Sequence, residues 1–315
     1  MKKYLVTGGA GFIGSNIVKR ILKQGDFVRV VDNFSTGRKE NIKEFLDNLN
    51  FELMEGDLTD MKVAENAVKD MDFVLHQAAI PSVQRSVEDP IKSNDANINA
   101  TLNILVASKD AKIKRFVYAA SSSVYGENLQ LPKKEDMSAM PISPYALQKY
   151  ASERYCQIFW KIYHLPTISL RYFNVFGPNQ DPNSQYSAVI PKFIKAVLRG
   201  AKPVVYGNGE QSRDFTFVDN VVDINLLSAK SEKGFGEVFN VGCGDQISLN
   251  QLLKMLKDIL KVNFDADYEV ARPGDVLHSR ADISKAKEIL GYSPEIEMKE
   301  GLIRTIDWYK QNEKL

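Results

Sequence analysis

"KYLVTGGAGFIGSNIVKRILK", residues 3 to 23, decides the fold. A short apolar run leads into Gly8, Gly9, Gly11 and Gly14. Beyond them Ile13, Ile17 and Ile21, with Val18 and Leu22, recur at three- and four-residue steps, while Lys19, Arg20 and Lys23 take the other side. This is the pattern of a strand, a glycine turn and an amphipathic helix. Glycines allow a tight turn and let backbone N–H groups approach a pyrophosphate, whose charge the helix N-terminus favours. A second apolar run, "FVRVVD" (27 to 32), ends in Asp32, eighteen residues beyond Gly14. That spacing completes a dinucleotide fingerprint. A carboxylate at Asp32 accepts hydrogen bonds from both ribose hydroxyls and repels a 2′-phosphate, so the expected cofactor is NAD and not NADP.

The alternation continues outward through "NFELMEGD" (50 to 57), "FVLHQAA" (73 to 79) and "RFVYAASS" (115 to 122), each an apolar run ending in polar or small residues. Near-continuous apolar strands separated by helical stretches predict a parallel sheet covered on both faces, with ligands at the carboxyl ends of its strands. From Asn174 the chain turns to "VFGPNQDPNSQYSA", rich in turn residues, followed by a helix over 190–198, a strand at "VFNVG" (238 to 242) and a helix over 249–260. The expected fold is α/β, a Rossmann-type doubly wound parallel sheet. Its NAD-binding domain spans 1–175 and 214–243, and a smaller mixed α/β substrate domain spans 176–213 and 244–315.

The 315 residues are 44% hydrophobic and 26% charged, the composition of a globular chain. Forty-one Lys and Arg against forty Asp and Glu give a net charge of +1, so no global field holds nucleic acid or an anionic membrane. Anionic ligands must be held locally. Two cysteines, Cys156 and Cys243, make neither a disulfide framework nor a zinc site, and no metal is expected. No run approaches the roughly 18 apolar residues of a membrane span, and "KKYLV" is too short for an export signal. A soluble, cytoplasmic protein is the expectation.

Chemistry is sought at the strand ends. Asp57 can take an adenine amine or simply form a turn. Gln77, Ala78 and Ala79 end the fourth strand with small residues that let a ligand lie close or that merely pack. Ser121, Ser122 and Ser123 end the fifth, able to orient a sugar hydroxyl or to act as turn residues. In "ISPYALQKYASE" (142 to 153), Ser143 suits an N-cap and Pro144 the first helical position. Tyr145 and Lys149, four apart, then share one helix face. In isolation this is an ordinary helix start.

Glycine fingerprint, Asp32, serine-bearing fifth strand and Tyr-x-x-x-Lys, in that order, resemble the extended short-chain dehydrogenase/reductases that act on nucleotide sugars. The resemblance implies a catalytic Ser121, Tyr145 and Lys149. An adjacent ammonium and a positive nicotinamide would favour the Tyr145 phenolate, which otherwise has a pKa near 10. It implies cofactor contacts from Gly8, Gly11, Phe12, Ile13, Gly14, Asp32, Asn33, Ser35, Thr36, Gly37, Asp57, Leu58, Gln77, Ala78, Ala79 and Asn97, and, through "LRYFNVFGP", from Tyr172 and Val175.

Substrate contacts are implied at Ser82, Ser121, Ser122, Ser123, Asn174, Ala188 and Val189. "VVYGNGEQSRDF" adds Val205, Tyr206 and a phosphate-binding Arg213, and "ARPGDVLHSRADISKA" adds Arg272 on the phosphates and Asp275 on a ribose. Read structurally, Arg213 could instead pair with Asp214 or Asp219, and Arg272 with Asp275. A pair of carboxylates after the active-site residue, as dehydratases have, is missing; Ser122 and Ser123 stand there.

The chain is most similar to UDP-hexose 4-epimerases, and among them to UDP-N-acetylglucosamine 4-epimerases. In that group the residue four past Asp275 gates the sugar pocket. Here it is Ser279, small enough to admit a 2-acetamido group, or else an ordinary surface serine. Pro81 departs from the family pattern in the pocket wall. The implied activity is NAD-dependent C4 epimerisation of UDP-N-acetylhexosamines and UDP-hexoses through a 4-keto sugar, by a homodimer. Alternatives are a UDP-glucuronate epimerase or decarboxylase, and a non-catalytic NAD-binding sensor.

Overall fold

Lys3–Thr7 (β1) and Phe27–Asp32 (β2) are parallel strands joined by the helix Phe12–Lys23 (α1). The computed structural model describes residues 1–181, 188–271 and 277–312. Further along lie Phe51–Glu55 (β3), Met61–Ala67 (α2), Phe73–His76 (β4), Val83–Glu88 (α3), Pro90–Asn94 (α4), Ala100–Asp110 (α5), Arg115–Ser121 (β5), Pro144–Tyr163 (α6) and Thr167–Tyr172 (β6). These are followed by Val175–Phe176 (β7), Val189–Leu198 (α7), Val204–Tyr206 (β8), Ser212–Arg213 (β9), Thr216–Phe217 (β10), Val218–Lys230 (α8) and Glu237–Val241 (β11). Ile247–Ser248 (β12), Leu249–Leu260 (α9), Asp267–Glu269 (β13), Ser284–Leu290 (α10) and Met298–Asn312 (α11) complete the order.

Seven strands form one parallel sheet in the order β11-β6-β5-β4-β1-β2-β3. The direction of winding reverses between β1 and β4, which opens a crevice at their carboxyl ends. β6 is the strand that apolar runs alone did not single out. It is set up by the end of α6, where His164 takes a left-handed conformation and Leu165-Pro166 cannot continue the helix. The start of α6 is as expected: Ser143 Oγ accepts the Ala146 N–H at 3.2 Å and Pro144 occupies the first turn.

Between α4 and α5 the helix widens into a π-type turn over 95–99, which releases the Asn97 carbonyl from the regular ladder. Thr101 Oγ1 and Ser152 Oγ both donate to it at 2.8 Å, pinning this helix to α6. Arg171 at the end of β6 makes a bidentate pair with Glu153 of α6, at 2.8 and 2.7 Å, both side chains buried. Loss of either partner would strand a buried charge at a cost of about 3–5 kcal/mol.

Three smaller strand pairs, β8–β13, β9–β12 and β7–β10, are separate from the main sheet. One apolar cluster runs from Val6 and Val30 in the sheet through Phe193 and Val205 to Leu252 and Tyr309. Asp214, fully buried between β9 and β10, joins the two regions: its carboxylate accepts the N–H groups of Cys243 (2.8 Å), Gly244 (3.0 Å) and Ala281 (3.0 Å). Burial nevertheless outweighs these three bonds and pushes its carboxyl up to about 6.

A folded-state value above the unfolded one means that the native protein binds the proton more tightly, so stability rises as pH falls from above 6 toward 4. Asp214→Ala strands three N–H groups and should cost about 3 kcal/mol, abolishing that pH dependence as well. Melting temperatures of both proteins across this range check it. An unchanged melting temperature would contradict the joint.

Candidate active site

The glycine turn brings backbones closer than any side chain permits. A Cβ on Gly8 (φ +66°) would lie 2.7 Å from Cα and N of Ala78, and one on Gly14 would lie 2.2 Å from the Gly8 carbonyl oxygen. α1 starts at Gly11 with no side-chain cap, and its first helical bond runs from the Ser15 N–H to the Gly11 carbonyl. The N–H groups of Phe12, Ile13 and Gly14 therefore lack intrahelical partners, and these residues line a cleft of about 440 Å³ at the switch point. An uncapped, partly positive helix end in an open cleft fits a pyrophosphate.

Asp32 stands at the expected strand end and lines the cleft. Its Oδ2 accepts the Ala10 N–H and its Oδ1 the Phe34 N–H, at 2.9 and 2.8 Å, which fixes the carboxylate and leaves each oxygen one further lone pair. Gly37 acts through close approach: its Cβ would be 2.9 Å from both Asp32 oxygens. Asn33, Ser35, Thr36, Leu58, Ala78 and Ala79 also line the cleft. Asp57 does so as well, and it is also a turn former. It accepts from Thr59 N–H, Thr59 Oγ1 and Asn33 Nδ2, and against its partial burial these bonds hold the carboxyl below the usual range.

Two expected cofactor contacts have their side-chain amides bonded within the chain. The Asn97 side chain is buried and fully used inside the chain, accepting the Ile80 N–H at 2.8 Å and donating to Gln148 Oε1 at 2.8 Å. It shapes the Ile80 wall, while its helix neighbours Ala96 and Ala100 line the cleft. Gln77 lines the cleft but spends its amide on Asn225 and Tyr172.

At the inner end of the same cleft lie Tyr145 and Lys149. The Tyr145 backbone N–H donates to Ser86 Oγ at 3.0 Å. Burial pushes the Tyr145 phenol up to about 12, with a hydrogen bond to Ser121 pulling the other way, and burial pushes Lys149 down to about 8. The expected lowering of the phenol by lysine is thus absent from the protein alone. Lys149 Nζ donates to the Ala119 carbonyl at 2.9 Å and sits 5.0 Å from the centroid of the Tyr118 ring. Below them His76, bonded to Thr7 and Thr101 at 2.7 and 2.9 Å, is held neutral by burial and by the Lys149 charge, its pKa pushed down to about 3.

Ser121 ends β5, and its Oγ accepts the Ser123 N–H (3.2 Å) and hydroxyl (2.9 Å). The turn role of the serines is therefore real, and it holds Ser121 beside Tyr145. Ser82 caps α3 by accepting the Arg85 N–H.

A second cavity of about 510 Å³ is lined by Asn174, Val175, Ala188, Val189, Tyr206 and Arg213. Ala188 lines both spaces, so they adjoin. Strand alternation in β8 turns the Val205 side chain wholly into the core, and Val204 and Tyr206 face the cavity. Arg213 Nη1 donates to the carbonyls of Ser212 (2.9 Å) and Leu277 (3.1 Å), whereas Asp214 is engaged by backbone and Asp219 by Arg20 and Arg304. Ser279, half-buried, donates its N–H to the Ser212 carbonyl at 3.1 Å, on the chain beside β9. Arg272 and Asp275 lie outside the described residues.

Sequence reasoning missed several lining residues. Arg38, Arg85 and Asn179 face the first space; Lys192, Phe193, Gln211 and Phe215 face the second. The helical spacing of Val189, Lys192, Phe193 and Ala196 was a usable signal, since that face of α7 lines the cavity.

A doubly wound sheet with an uncapped glycine turn at its switch point, a carboxylate ending β2 and a Tyr-Lys pair inside the cleft define a dinucleotide-dependent α/β protein. The chain belongs to the NAD dependent epimerase/dehydratase family, whose model matches residues 4–242. A putative UDP-glucose 4-epimerase of Methanocaldococcus jannaschii is 39% identical over 98% of this chain and 99% of its own length. A solved UDP-N-acetylglucosamine 4-epimerase from Methanobrevibacter ruminantium, in complex with UDP-N-acetylmuramic acid, superposes with a TM-score of 0.93 at 43% identity, covering 98% of both chains. The solved UDP-glucose 4-epimerase of Thermotoga maritima, with UDP-glucose, gives a TM-score of 0.92 at 38% identity, covering 98% of this chain and 99% of that one. Among the described residues no cluster could hold a metal ion, and no helix is long and apolar enough to cross a membrane.

Gly14→Ala tests the close approach directly. The protein should fold yet purify with less than about a tenth of the NAD that the parent carries, since a displaced turn no longer presents its N–H groups. Full NAD occupancy in that variant would refute the cradle.

Proposed function

We propose that the protein interconverts the C4 epimers of UDP-N-acetylhexosamines and of UDP-hexoses. The observation that carries this reading is the convergence of Tyr145 and Lys149 on the inner end of a dinucleotide cleft that adjoins, at Ala188, a second cavity containing Asn174 and Arg213. The relatives act on UDP-glucose and UDP-N-acetylglucosamine by name, which supports the substrate class. The assignment follows the two-part division: the region of the sheet holds NAD, and 176–213 with 244–315 holds the sugar nucleotide.

NAD bound in the cleft would supply a reversible hydride acceptor for C4 of the sugar. Tyr145 takes the proton from O4′, which requires its phenolate, and the Lys149 ammonium lowers the cost of that charge. Ser121 orients the sugar hydroxyl beside Tyr145. Arg213 and Asn174, with Arg272 and Asp275, hold the nucleotide while the 4-keto hexose turns over and presents its other face. The carboxylate pair that would expel water is absent after Ser121, and Ser122 and Ser123 take its place. Ser279 leaves room for a 2-acetamido group.

A second copy is proposed to cover the face of α6 that carries Leu147, Ile158 and Ile162, with Ile91 of α4. All four are exposed, from 42% to 76%, and an apolar stripe of this kind marks an interaction surface. Light scattering at monomer mass would sink that pairing. Two unpaired cysteines support a reducing, cytoplasmic setting, which cell fractionation can check.

Purified protein incubated without added NAD with UDP-glucose, UDP-N-acetylglucosamine and UDP-glucuronate should give galacto-configured products from the first two. Tyr145→Phe should lose at least about a thousandfold in kcat. Ser279→Tyr should remove turnover of the acetamido sugar while sparing UDP-glucose. Product from UDP-glucuronate alone would replace the proposed substrate, and tight NAD binding with no turnover of any sugar would favour a sensor.

A further inference from the structure

Asn225 lies on α8, outside every motif that the sequence presents, and is fully buried. Its Nδ2 donates to Tyr172 Oη at 2.8 Å and to the Val221 carbonyl at 2.7 Å, which uses both hydrogens. The Tyr172 hydroxyl has one proton and two acceptors at 3.1 Å, Gln77 Oε1 and Asn225 Oδ1; it goes to Gln77 when Asn225 Oδ1 is taken by the Gln77 amide. Gln77 Nε2 donates in turn to Asn225 Oδ1 at 3.0 Å. Three side chains from three elements thus close a ring of hydrogen bonds, each donating to the next. The direction is fixed, because a flipped Asn225 amide would set Oδ1 against the Val221 carbonyl and Nδ2 against the Gln77 amino group.

Tyr172 and Gln77 line the cleft together with Tyr145 and Lys149; Asn225 stands behind them. We propose that Asn225 is a positioning residue, which holds the Tyr172 ring and the Gln77 amide in the one arrangement that seats the nicotinamide beside Tyr145. This deepens the proposed function and rests on the reading that the cleft takes NAD with its reactive ring at that end. The ring fixes the orientation of both lining residues and leaves the second Nε2 hydrogen of Gln77 outside it. Burial also pushes the Tyr172 phenol well up, keeping it the donor that the ring requires. Placement matters here because misplacing a reacting group by about 1 Å can cost on the order of a hundredfold in rate.

Binding of NAD+ and of ADP-ribose, which lacks the nicotinamide, separates positioning from general support of the fold. Asn225→Ala and Tyr172→Phe should each weaken NAD+ roughly fivefold, the size of one neutral hydrogen bond, and leave ADP-ribose unchanged. The double variant should be no weaker than either single one. Equal losses for both ligands, or losses that add, would overturn the inference. If Asn225→Ala fails to fold, Tyr172→Phe, which removes one hydroxyl, must still show the selective loss, and its absence overturns the proposal. Wild-type protein that binds ADP-ribose as tightly as NAD+ also overturns it while leaving the dinucleotide reading intact; wild-type protein that binds neither overturns both.

Discussion

The site depends on how closely two stretches of backbone pass at the switch point of the sheet. Gly8 stands against Ala78 and Gly14 against Gly8, at separations where a Cβ would meet backbone atoms at 2.7 and 2.2 Å. This approach aims α1 into the crevice, and the absence of a capping side chain at Gly11 leaves its first N–H groups to a ligand. Asp32 is then held by Ala10 N–H on one oxygen and Phe34 N–H on the other. The same geometry that shapes the turn therefore aligns the carboxylate at the next strand end.

Within the cleft, burial acts on two groups in opposite senses. It moves the Tyr145 phenol up to about 12 and the Lys149 amine down to about 8, so each resists its charged form when considered alone. As a phenolate–ammonium pair, each lowers the cost of the other's charge. The surrounding structure keeps the two in place: Ser86 holds the Tyr145 backbone, Ala119 holds Lys149, and the Glu153–Arg171 pair with the Asn97 carbonyl ties α6 to its neighbours.

Most of the fold was legible in the sequence because strands and helices of a doubly wound sheet carry strong apolar patterns. β1, β2 and α9 fall at the expected residues, and the start of α6 follows from Ser143 and Pro144. β6 escaped notice because it follows a long helix without a Gly-rich boundary. The lining of the cleft was legible where residue type alone sets the local geometry, as at the glycines and Asp32. It was less legible where a polar side chain could turn either way. Asn97 and Gln77 both face inward partners contributed by distant segments, and no local pattern records that choice. The inward turn of Val205 was illegible for a different reason, since a three-residue strand is too short for its alternation to be read. Asn225 had no signal at all, because its partners come together only in the folded chain.

The central claim is that a hydride leaves C4 of the sugar and returns to the same carbon within one closed site. The most direct measurement follows UDP-glucose carrying deuterium at C4 through turnover in ordinary water, with the product read by nuclear magnetic resonance. The account predicts that the epimer keeps its deuterium at C4. A product that carries solvent hydrogen at C4 would contradict it.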